Sequence, residues 1–112
     1  MNGNQAEQLA IAFLQRQNLI LLTQNYRCRF GEIDLIMRDK TILVFVEVRM
    51  RSSDYFGGAA ASITLSKQTR LLRTARHYLA GLNNNPACRF DVVLLSGSHG
   101  QKIEWIQNAF GE

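Results

Sequence analysis

Three side chains of chemical interest sit in runs that a sheet would normally fill with hydrocarbon. Asp34 lies inside GEIDLI, residues 31–36, and Glu47 and Arg49 lie inside VFVEVR, residues 44–49. Two carboxylates brought together in an apolar setting repel each other and resist ionisation unless a cation stands between them. Mg2+ or Mn2+ suits that role: such a hard ion takes one or two carboxylates and keeps several waters, one of which can become the nucleophile in phosphodiester hydrolysis. Arg49 follows Glu47 by two residues, so strand alternation puts its charge on the same face, within reach of a phosphate. The competing reading is plainer. An acid between valines on an edge strand can face water, pair with a nearby arginine and discourage edge-to-edge aggregation.

The elements that must position these residues follow from periodicity. IDLIMR and ILVFVEVR read as two strands joined at the polar Asp39-Lys40. A turn centred there sets Asp34 opposite Phe45, with Glu47 a diagonal neighbour on the same face, roughly 7 to 8 Å away between backbones. Arg49 and Arg51 share that face, and Val44, Val46 and Val48 take the other. The inference needs an even-numbered connection, because a three-residue loop would put Asp34 and Glu47 on opposite faces.

Before the hairpin, residues 4–17 place Ala6, Leu9, Ala10, Phe13 and Leu14 on one helical face, with Asn4 as N-cap and Glu7 completing a capping box. A strand near residues 19–24 follows. After the hairpin, the Gly-, Ala- and Ser-rich residues 51–62 read as a mobile loop. A second helix over 65–82 gathers Leu65, Leu72, Ala75, Leu79 and Leu82 inward and sets Lys67, Arg70, Arg73 and His77 outward. RFDVVLL and KIEWI supply two more strands. The order is helix, three strands, helix, two strands, a mixed α/β domain of two or three layers.

The whole chain agrees with a single domain over residues 1–112. Its 46% hydrophobic content supports one core, and the longest apolar run, ILVFV, is far short of a membrane span. A soluble cytoplasmic protein is expected, with Cys28 and Cys88 reduced and no zinc spacing. The 13 Lys and Arg against 9 Asp and Glu, a formal charge of +4, favour anionic partners.

AEQLAIAFL, NYRCRFGEIDLIMRD, VFVEVRMR, SKQTRLLRTARHYL and RFDVV run in order along nearly the whole chain. In these segments it resembles the uncharacterised bacterial YraN-like family of the PD-(D/E)XK nuclease superfamily, similar to archaeal Holliday junction resolvases. The resemblance implies a restriction endonuclease-like fold, a central mixed β-sheet flanked by helices. It also implies a DNA-binding, metal-dependent endonuclease whose DNA includes branched forms. By position, Asp34 and Glu47 become metal ligands with the Val48 carbonyl. Glu7 matches an acid that completes the metal site in related resolvases, although its capping role would account for it equally well. Lys67 and Gln68 match a position where related nucleases place a Lys or Gln near the site.

One departure bears on mechanism, for Arg49 stands where the pattern has Lys. Arginine keeps its charge and can bind phosphate bidentately, but with a pKa above about 12 it cannot take a proton from water. Lys67 is the candidate to supply the missing ammonium. The alternative function is a non-catalytic nucleic-acid-binding or protein-interaction module on the same fold. Arg49, Arg51, Lys67, Gln68, Arg70, Arg73 and His77 would contact phosphates. A homodimer is expected of a resolvase-like chain, since a four-way junction offers two strands for symmetric cutting.

Overall fold

Strand alternation sorts the core into two halves. In the computed structural model, which describes residues 1–51 and 63–111, Val44 and Val46 pack with Leu35, Met37, Val93 and Leu95 against Ala6, Ala10, Ile11 and Leu14. Phe45, between the two valines, turns the other way and packs with Ile36, Phe90, Val92 and Leu94 against Leu71 and Ala75. Successive residues of the same strands thus serve opposite faces, and the result is three layers: helix, sheet, helix.

The elements are α1 (Gly3–Arg16), β1 (Ile20–Cys28), β2 (Gly31–Asp39), β3 (Ile42–Arg51), α2 (Leu65–Ala80), β4 (Cys88–Ser96) and β5 (Lys102–Phe110). They form a five-stranded sheet in the order β1-β2-β3-β4-β5, with β3 and β4 parallel and the other neighbours antiparallel. This mixed sheet flanked by two helices is the expected α/β architecture, consistent with a restriction endonuclease-like fold. Because β3 is central and covered on both faces, ILVFVEVR is buried almost without interruption, as strands covered on both sides are. The glycine-rich stretch read as a mobile loop lies, beyond Arg51, outside the described residues. No described helix is long and apolar enough to cross a membrane.

Three expectations need correction. The N-cap of α1 is Asn2, not Asn4: Asn2 Oδ1 accepts from Gln5 N and Asn2 N donates to Gln5 Oε1, both at 2.9 Å. The spacing Asn-x-x-Gln at 2–5 meets the same requirement as Asn-x-x-Glu at 4–7, and the upstream copy lengthens the helix and releases Glu7 from capping. At the other end Asn18 takes φ 72°, Leu19 N donates to Leu14 O at 3.1 Å and Asn18 N to Gln15 O at 3.0 Å. That pair of bonds is a Schellman closure, and Leu19 packs in the same core cluster as Leu14.

The hairpin turn is displaced by one residue. Asp39 pairs with Ile42 across Lys40-Thr41, and Ile36, not Asp34, faces Phe45. The connection still has two residues, so Asp34 and Glu47 keep their shared parity.

In α2, Leu65 is 80% exposed and does not join the core. The inward stripe runs instead through Leu71, Thr74 and Ala75. At about 100° per residue Lys67 falls on the Leu71–Thr74 side, so it approaches the sheet and leaves the outward row in which the sequence placed it. Thr64 fixes that start, its Oγ1 accepting from Lys67 N at 3.1 Å.

Candidate functional site

The site forms where the β2–β3 ladder stops. Its last pair is Leu35 with Val46, and beyond it the Val48 N–H is met by a side chain: it donates to Asp34 Oδ2 at 2.9 Å. This bond fixes Asp34 and Val48 beside Glu47, which is only 5% exposed and hydrogen-bonded to Asp34. Burial is the main reason that the Asp34 carboxyl is pushed up to about 8. The hydrogen bond and repulsion from Glu47 add to it, the Val48 N–H opposes it, and the charge of Glu7 raises it further. At neutral pH Asp34 therefore keeps its proton.

Two cations converge on one oxygen of Glu47. Lys67 Nζ lies 2.9 Å from Oε2 and Arg49 Nε 3.3 Å from the same atom. Arg49 Nε is buried and makes no hydrogen bond, so its contact is Coulombic at poor angle, whereas Lys67 approaches at full hydrogen-bond distance. Lys67 thus stands where an ammonium two residues after Glu47 would have been sought.

The remaining sequence candidates disperse. Glu7 Oε1 accepts from Gln24 Nε2 at 3.1 Å, tying α1 to β1. Its charge is felt at Asp34, but among the described residues no three His, Cys, Asp or Glu side chains stand close enough to hold one ion. Gln68 turns to its own helix start, its Nε2 donating to Ile63 O at 3.0 Å. Arg51 closes β3, half-buried, and Arg70 and Arg73 are exposed on α2. His77, also exposed, pairs through Nδ1 with the Tyr26 hydroxyl at 2.6 Å.

The donors fit a hard divalent cation. Two mutually hydrogen-bonded carboxylates offer oxygen alone, and a doubly positive ion would offset both the burial and the repulsion that keep Asp34 protonated. The fit is to a two-carboxylate site; Glu7 stands outside it as a charged neighbour.

Sequence reasoning passed over a second buried acid. Asp91 in β4 is 0% exposed; it accepts from Arg89 Nε at 3.0 and 3.2 Å, Trp105 Nε1 at 2.9 Å and Asn108 N at 2.9 Å. The last bond clamps a bulge in β5, where Asn108 takes φ 52° and the register slips between Phe90 and Val92. Arg89 also reaches Asp39 at 3.2 Å. Burial alone lowers the Arg89 pKa, but Asp91 and Asp39 outweigh it and leave it raised. The sequence signal was available: Arg89 and Asp91 stand two apart on one strand and so share a face.

The profile of an uncharacterised protein family, UPF0102, matches residues 6–95, a stretch that holds Glu7, Asp34, Glu47, Lys67 and Asp91. A UPF0102 protein of Nitrosomonas europaea is 69% identical over 110 residues, covering 98% of this chain and 93% of the relative. One of Nitrosospira multiformis is 64% identical, covering 98% and 92%. Another, of Cupriavidus metallidurans, is 59% identical, covering 96% and 79%.

Proposed function

The chain belongs to the uncharacterised protein family UPF0102, and we propose that it is a metal-dependent endonuclease that hydrolyses DNA phosphodiester bonds, branched DNA among them. The observation that carries this reading is the Asp34–Glu47 pair, a half-buried carboxyl beside a buried one, with Lys67 2.9 Å from Glu47. An acid pair so arranged destabilises the metal-free protein, and a site that stores such a cost is more readily explained by a ligand than by folding.

Mg2+ or Mn2+ held by Asp34 and Glu47 would supply an ionised water and neutralise phosphate charge. The chain's own residues do the rest. Val48 N–H orients Asp34, and burial keeps bulk water from screening the pair. Lys67 brings a compact ammonium to the carboxylate edge, where it can stabilise charge developing on a phosphate oxygen. Arg49 adds a fixed charge but exchanges no proton.

The test is cleavage of linear, flapped and four-way DNA with Mg2+ or Mn2+, comparing the native protein with Asp34→Ala and Glu47→Ala. Both variants should lose at least about 100-fold in rate, the scale of removing a group that acts only in the transition state. Cleavage retained in both would refute the site. DNA binding itself should weaken steeply between low and moderate salt, since phosphate contacts release counterions.

A second reading has its own support: Glu47 is already neutralised by two cations, and position 49 lacks lysine. On that reading the fold binds nucleic acid without cutting it. DNA binding without cleavage, with activity gained in Arg49→Lys, would select it.

A further inference from the structure

Away from the acid pair, the turn between β1 and β2 seats a cluster of aromatic and cationic side chains on α2. Gly31 makes the seat possible. Its φ is +150°, and a Cβ there would stand 3.1 Å from Thr74 Oγ1 and 3.9 Å from Arg70 Cβ, so a larger residue would lift the turn off the helix. Thr74 is itself fully buried and its hydroxyl is donated to Arg70 O at 2.7 Å, which leaves it no freedom to yield.

The seated turn orders its neighbours. The Tyr26 hydroxyl meets His77 Nδ1 at 2.6 Å, and the Tyr26 ring packs edge-on to Tyr78 at 5.2 Å. Phe30 then lies 6.0 Å from the His77 ring at 63°, and the Arg29 guanidinium sits 4.8 Å over the Phe30 ring. Arg29 and His77 are exposed and Phe30 is half-exposed, outside both core clusters. An aromatic ring held in place by packing, unused by the core and roofed by a planar cation, presents a flat surface of low conformational freedom to solvent.

Cationic side chains lead from this surface back to the acid pair. Arg70 lies beside Gly31, and a cavity of about 170 Å3 lined by Gly31, Glu32, Lys67, Arg70 and Leu71 separates the turn from Lys67, the residue in contact with Glu47. Glu32, the one acid here, is paired with Arg27 at 3.1 Å. Arg29, Arg70 and Lys67 thus form a positive path beginning at an aromatic platform and ending at the candidate catalytic carboxylates.

We infer that the β1–β2 turn is a docking platform for single-stranded DNA, on which an unpaired base stacks against Arg29 and Phe30 while Arg70 and Lys67 take the adjoining phosphates toward Glu47. The inference rests on the reading of Asp34 and Glu47 as a phosphodiester site and adds the form of substrate, a duplex with an unpaired segment beside it. Stacking on aromatic rings and guanidinium planes is indifferent to base identity, as recognition of structure rather than sequence requires. An acidic peptide would be served by the cations alone and would leave the half-exposed ring without a purpose.

The test uses the full chain in EDTA, so that binding is read without cleavage. Fluorescence anisotropy compares a blunt duplex with the same duplex bearing a single-stranded tail, and 2-aminopurine in the tail reports stacking. The native protein should prefer the tailed DNA and quench the probe. Phe30→Leu should lower the ratio of tailed to blunt affinity by about tenfold, within the range that one stacked base supplies, and Phe30→Trp should restore both preference and quenching. An unchanged ratio in Phe30→Leu, or an equal loss on both DNAs, would overturn the platform and reduce Phe30 to packing. Because no metal is present, failure of the cleavage experiment would strike the catalytic reading alone, and an unchanged ratio beside intact cleavage would strike the platform alone.

Discussion

Asp91 and Asp34 are both acids set in apolar strands, yet the molecule treats them in opposite ways. Asp91 receives two bonds from Arg89, one from Trp105 and one from the Asn108 backbone, so its charge is matched by a cation and its lone pairs are filled. Asp34 receives one backbone N–H and faces a second carboxylate, while the nearby cations are directed to Glu47. The first is a buried charge matched by its own fold; the second is a half-buried carboxyl that avoids the charge by keeping its proton. Burial of an acid is therefore no sign of function. The informative quantity is the compensation that the protein supplies, because an uncompensated buried charge costs several kcal/mol.

The largest effect should come from breaking the completed site. Asp91→Ala leaves the Arg89 guanidinium with Asp39 alone, strands the Trp105 N–H and releases the β5 bulge; a loss of about 3 kcal/mol is expected, read as the shift of the urea midpoint at constant m. A loss under about 1 kcal/mol would mean that the network adds little beyond packing.

Asp34→Asn should go the other way. It keeps an acceptor for Val48 N–H and removes the repulsion with Glu47, so the metal-free variant should melt higher than the native protein at pH 8. The sign follows from linkage. The folded carboxyl is raised to about 8 from an ordinary 3.8, so folded protein binds the extra proton between those values. The stabilisation is complete below the lower value and is lost as pH rises through the upper one, at up to about 1.4 kcal/mol per pH unit for one proton. The native-minus-variant difference in Tm should therefore become more unfavourable to the native protein from pH 5 to pH 8 and level off above it; a flat difference would refute the assignment.

Metal binding should sharpen the same contrast. A cation must displace the Asp34 proton, so calorimetry with Mn2+ should give an apparent affinity that rises by up to about tenfold per pH unit between pH 6 and 8 and then flattens. Asp91→Asn should leave that profile in place, provided it folds, while Asp34→Asn should remove the binding.

The smallest effect belongs to Glu7. Glu7→Gln withdraws one distant negative charge from Asp34 and leaves its other neighbours intact, so the midpoint of the pH-dependent Mn2+ profile should move down by a few tenths of a unit. A shift as large as that of Glu47→Gln would promote Glu7 from neighbour to ligand.

Much of this is legible in the sequence alone. Period-two alternation put Asp34, Glu47 and Arg49 on one face, and a two-residue shift of register left that result unchanged. The same rule joined Arg89 to Asp91, although RFDVVLL was read only as a strand. Lys67 was placed on the outer side of α2 because the inward stripe was anchored on Leu65; the stripe through Leu71 and Thr74 turns Lys67 to the sheet instead.

The sequence by itself determined the order of the elements, the parity of each strand and the identity of the acids, because helix and strand periods are properties of neighbouring residues. Only the tertiary structure decided which of two capping boxes closed α1, where the β2–β3 ladder ended, and which acid received donors. Those outcomes depend on desolvation and on partners far along the chain, such as Lys67 for Glu47, Gln24 for Glu7 and Trp105 for Asp91, and a local pattern holds no record of which distant group comes within 3 Å or so of a buried charge.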